Sequence, residues 1–74
     1  MELKDLRVKL KAFGCTSRIR TNKLGSFLKV FMGTEEVTAM IITREQYARF
    51  SPVFSLLQEA KKEGVFYEGR KIIV

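Results

Sequence analysis

The chain has 74 residues, 46% of them hydrophobic and 30% charged, with one proline, one cysteine, no histidine and a net charge of +6. A chain this short buries only about 60% of its unfolded surface, so one small α+β domain over residues 1–74 is expected and a large enclosed active site is not. Without histidine, imidazole metal sites and histidine-activated serine or cysteine nucleophiles are excluded, and neither a metal nor a cofactor is expected.

Leu3, Leu6, Leu10 and Phe13 recur at helical spacing and predict an N-terminal helix ending at Gly14, with Lys4, Arg7 and Lys11 on its opposite side and Lys9 at the flank. After Gly14 the period changes to two. "TSRIRT" (16–21) alternates as a half-buried strand pinned to the core by Ile19, 22–25 reads as a turn, and "SFLKVFM" (26–32) is a second strand. "GTEE" (33–36) has hairpin-loop composition, and "VTAMIIT" (37–43) predicts a third strand, completing an antiparallel meander.

Thr43 suits a helix N-cap, and the following helix is expected to break at Ser51-Pro52 and restart over 52–63, closed by Gly64. Glu68-Gly69 between two apolar runs predicts a C-terminal β-hairpin. The expected order is therefore helix, three strands, broken helix, hairpin.

The charge is unevenly spread. Residues 1–34 carry eight Lys and Arg against two acids, whereas 35–74 carry six against six. Between Leu6 and Thr34 no carboxylate occurs, leaving Arg7, Lys9, Lys11, Arg18, Arg20, Lys23 and Lys29 without a local counter-charge. Such asymmetry favours polyanions. Strand parity puts Arg18, Arg20, Phe27, Lys29 and Phe31 on one face, a combination suited to phosphates and base rings. The third strand is apolar in both parity sets, however, which predicts a sheet buried on both sides, with the phenylalanines under the second helix or at a dimer contact.

The helix, three-strand, helix order resembles the layout of double-stranded-RNA-binding domains over residues 2–63. Those domains carry a lysine cluster where this chain reads "TREQYAR", so the resemblance transfers topology and no contact residue. "SPVFSLLQEAKKEGVFYEGRKIIV" resembles a recognition helix and wing, although Ser55, Gln58, Glu59 and Lys62 give that helix no cationic face.

Enzymatic readings have little support. Glu35 and Glu36 are adjacent and should point apart, the glycines form no phosphate loop, and nothing in the sequence gathers Tyr47 or Tyr67 with the basic residues. The expectation is a non-enzymatic binder of DNA or RNA with low sequence specificity, contacting phosphates through Arg18, Arg20, Lys23 and Lys29, then Lys9 and Lys11. The alternative is a protein-interaction module, an inhibitor or adaptor, that meets an acidic or apolar partner or forms a homodimer. The lone Cys15 and the lack of a signal-like or membrane-length apolar run make the cytoplasm the expected compartment.

Overall fold

A computed structural model of the chain describes residues 2–74. In α1 (Leu3–Ala12), Leu6 and Leu10 lie one turn apart and are fully buried. Phe13 and Gly14 close the helix by donating their N–H groups to Leu10 and Lys11 at 3.0 and 2.9 Å. Gly14 sits at φ 76°, a conformation that penalises residues bearing a β-carbon. The leucine spacing extends the buried stripe to Phe13, but that ring lies past the last turn and is 45% exposed.

β1 (Cys15–Asn22) and β2 (Gly25–Met32) form an antiparallel hairpin in register from Cys15↔Met32 to Asn22↔Gly25. Its two-residue loop is set by Asn22, whose Oδ1 accepts from the Leu24 N–H at 2.8 Å. Cys15, Leu28 and Val30 join Leu6 and Leu10 and, from the second helix, Phe50, Val53 and Leu57 in one buried cluster. Both helices therefore cover the face of the hairpin that carries Leu28 and Val30. Ile19 belongs to this face but is 47% exposed, because the hairpin outruns the helices; it does not pin the strand to the core.

The third strand differs from expectation. Only β3 (Glu35–Glu36) pairs with β2, opposite Met32 and Phe31. Val37 donates to the Val30 carbonyl at 2.8 Å, and then the Thr38 side chain, not a strand backbone, accepts from the Val30 N–H at 3.2 Å. The chain leaves the sheet there. Val37, Thr38 and Ile42 enter the core while Met40 and Ile41 are about half exposed, so the doubly apolar pattern marks a buried crossing and not a central strand.

α2 (Arg44–Lys62) opens with a complete capping box: Thr43 Oγ1 accepts from the Gln46 N–H, and Gln46 Oε1 accepts from the Thr43 N–H. The expected break at Pro52 does not occur. Proline inside a helix costs about 3 kcal/mol, yet Phe50, Val53, Leu56 and Leu57 continue one buried stripe across it, each contributing roughly 1.5–3 kcal/mol. Tertiary burial outweighs the local penalty, and Pro52 itself faces solvent.

The C-terminal hairpin is also replaced. Residues 65–71 run without regular structure, with the Phe66 carbonyl accepting from the Leu28 N–H at 2.7 Å. β5 (Ile72–Ile73) then pairs in parallel with β4 (Ile41–Ile42), and the Val74 carbonyl accepts from the Arg44 N–H at the start of α2. There is no wing after α2, which removes the basis of the winged-helix resemblance. The architecture is α+β: a β1-β2-β3 sheet, two helices on one of its faces, and a separate parallel strand pair. Among the described residues no helix is long and apolar enough to cross a membrane.

The carboxylate of Glu35 ties β3 to α2, accepting from Arg49 Nη1 and Nη2 at 2.6 and 2.9 Å and from Gln46 Nε2 at 3.2 Å. Arg49, and secondarily Gln46, hold its pKa below the ordinary glutamate range. A depressed folded-state value contributes stability that is present above the unfolded pKa and lost as pH falls through the folded one. Glu35→Gln is therefore expected to flatten the decline of the urea midpoint below about pH 4.3. An unchanged acid limb would mean that the clamp carries no linkage.

Candidate nucleic-acid interface

The register that buries Leu28 and Val30 turns Thr16, Arg18 and Arg20 of β1 and Phe27, Lys29 and Phe31 of β2 to the other face of the hairpin, away from both helices. Arg18 lies opposite Lys29 and Arg20 opposite Phe27. Both arginines are exposed, whereas Lys29 is half-buried and its Nζ lies 3.7 Å from Glu36 Oε1. Phe27 and Phe31 are half-buried and do not belong to the core or to the side chains packed on it. The expectation that they lie under the second helix is thus corrected. It assumed a fully strand-like third segment, and β3 is only two residues long.

The other predicted contacts are dispersed. Lys23 stands in the hairpin loop beyond the Arg18 and Arg20 face. Lys11 borders β1 from the helix side, lining a shallow hollow with Arg7, Cys15 and Ser17. Lys9 lies elsewhere, in a hollow shared with Asp5 and Glu63, so acids surround it and it does not extend the basic face.

Sequence reasoning overlooked two residues. Arg7 reaches from α1 to β1, donating from Nε to Ser17 Oγ at 3.1 Å and from Nη2 to the Ser17 carbonyl at 3.4 Å, which sets a guanidinium beside the strand. Phe66 is 72% exposed and lines one hollow with Asn22, Leu24 and Phe27 at the loop end of the hairpin and another with Leu3, Ile19 and Leu28 on the helix side. Both contacts span elements distant in sequence, and no local pattern announces them.

Groups with potential reactivity are mostly engaged elsewhere. The Cys15 side chain is buried, and burial pushes its thiol up from the ordinary value. Glu35 and Glu36 point to opposite faces of the sheet, one held by Arg49 and the other accepting from Thr38 Oγ1 at 3.1 Å. Tyr47, Tyr67 and Lys71 do meet around one hollow of about 120 Å³, a grouping that no local pattern announces. Lys71 Nζ is committed there to the Ala39 and Glu68 carbonyls at 2.9 and 2.7 Å, and burial pulls its pKa below the usual lysine range. Among the described residues no group of three or more His, Cys, Asp or Glu could hold a metal ion.

Comparison with protein-family models, curated proteins and solved structures finds no match. The functional reading consequently rests on the geometry of the hairpin.

Proposed function

We propose that this protein is a non-enzymatic, cytoplasmic nucleic-acid-binding protein that contacts phosphates with little sequence specificity. The observation carrying this reading is the concentration of Arg18, Arg20 and Lys29 on the one sheet face that neither helix covers. Arg7 and Lys11 extend the positive field around the adjacent edge of β1. Exposed guanidinium groups pair with phosphate oxygens in bidentate fashion without reading base identity. Glu36 moderates the field by sitting against Lys29, so the arginines form its strongest part.

The test is a titration against random single- and double-stranded DNA and RNA at several salt concentrations. Binding should weaken steeply with salt, and Arg18→Ala or Arg20→Ala should each reduce the slope by about one unit. Lys9→Ala, among its acidic neighbours, should leave the slope unchanged. Absence of binding at low salt, or an unaltered slope in the double arginine variant, would exclude the reading.

The unpaired edge of β1 favours a second reading as a protein-interaction module. β1 is the outer strand of its sheet, and the outward backbone groups of Ile19 and Thr21 make no hydrogen bond among the described residues. An extended acidic peptide could add there as a further strand, its carboxylates against Arg18 and Arg20. Slowed exchange of the Ile19 and Thr21 amides in the presence of such a peptide would support that reading, and unchanged exchange would exclude it.

A further inference from the structure

Three phenylalanines lie on or beside the basic face, and none belongs to the core. Phe27 and Phe31 flank Lys29 on β2, about 13 Å apart at strand rise, and Phe66 stands at the β2 edge, between Phe27 and the helix-side Leu3, Ile19 and Leu28. At 72% exposure Phe66 is the most exposed aromatic residue among those described, and folding gains little from leaving it there. The geometry points to a single-stranded nucleic acid as the ligand, its phosphates along Arg18 and Arg20 of β1 and its bases stacked on Phe27, Phe31 and Phe66 along β2. This inference rests on the phosphate-binding reading above and adds the class of polymer to it.

Two features separate this arrangement from duplex binding. A phenyl ring has no donor or acceptor for a base edge, so its contribution comes from stacking on a base face, and a duplex hides those faces between neighbouring pairs. At the roughly 3.4 Å per nucleotide of a helical strand, Phe27 and Phe31 are about four nucleotides apart, and a base must leave its stack to lie face-on against either ring. Only an unpaired strand permits that at low cost. Charge complementarity supplies the other half of the fit, because β1 presents its two arginines beside the row of rings, and Glu36 of β3, opposite Phe31, is engaged by Lys29 and Thr38.

The probes are fluorescent random-sequence 12-mers of single-stranded DNA and RNA and the corresponding duplexes, with Phe66→Leu, Phe27→Leu and Phe31→Leu compared with the unaltered chain. Phe66→Leu is the key variant, since the residue is exposed and its replacement should leave the circular dichroism spectrum and the urea midpoint unchanged. Each substitution is expected to weaken single-strand binding by roughly tenfold while leaving the salt slope intact, because stacking is lost and phosphate contacts remain. Single strands should bind more tightly than duplexes. If the Phe66 and Phe27 variants bind single strands as well as the unaltered chain, or if duplexes bind as tightly, the stacking inference is wrong and the phosphate reading stands. If no polymer binds at low salt, both fail together.

Discussion

Phe50→Ala is expected to lower the free energy of unfolding by about 3–5 kcal/mol, the largest stability loss of any single substitution considered for this chain. Phe50 is wholly buried and is the largest of the fully buried side chains. Its ring meets Phe54 edge-on at 6.1 Å, and the Arg49 guanidinium lies 5.3 Å from its centroid on the outer side. Phe50 also stands two positions before Pro52, where α2 depends on tertiary packing to remain continuous. A domain of this size has roughly 4–11 kcal/mol in total at about 0.05–0.15 kcal/mol per residue. The alanine variant should therefore be partly or wholly unfolded at room temperature by far-UV circular dichroism. Phe50→Leu, which retains most of the buried volume, should still show a cooperative urea transition. A loss below about 1 kcal/mol in the alanine variant would contradict a core centred on this ring.

The sequence was most legible where structure is locally determined. The Leu3, Leu6, Leu10 spacing, the Asn22 to Gly25 turn and the Thr43 N-cap each act within a few residues, and α1, the hairpin and the start of α2 formed as expected. The failures are all non-local. Ile41 and Ile42 have strong strand propensity, but propensity does not name a partner, and theirs proved to be Ile72 and Ile73 in a parallel pair. Pro52 was read by its local cost, whereas the buried stripe on both sides of it decided the outcome.

For the candidate site the same division holds. Strand parity alone placed Arg18, Arg20, Phe27, Lys29 and Phe31 on a common face, and the register agrees. Whether that face is covered depended on where residues 37–43 travel, and this turns on one side chain. A continuing third strand would have closed the ladder with its own backbone and widened the sheet. Thr38 ends it instead, leaving a narrow hairpin whose basic and aromatic face no helix covers.

Thr38 accordingly offers a sharp test of how the sheet edge is built. It is 2% exposed, and Oγ1 both accepts from the Val30 N–H at 3.2 Å and donates to Glu36 Oε2 at 3.1 Å. Thr38→Val preserves shape while removing both bonds, leaving a buried N–H without a partner and a half-buried carboxylate without its donor. The expected cost is about 1–3 kcal/mol by urea denaturation. Thr38→Ser deletes only a methyl group and keeps the hydroxyl, so it should cost less, about 0.8 kcal/mol. Amide exchange separates the mechanisms further: the Val30 N–H should lose protection selectively in the valine variant and keep it in the serine variant. If valine is tolerated better than serine, packing of the threonine methyl holds this crossing in place and the hydroxyl does not terminate the ladder. If the order is as expected, one buried hydroxyl both completes the β2 edge and positions Glu36 against Lys29, coupling the end of the sheet to the charge on its open face.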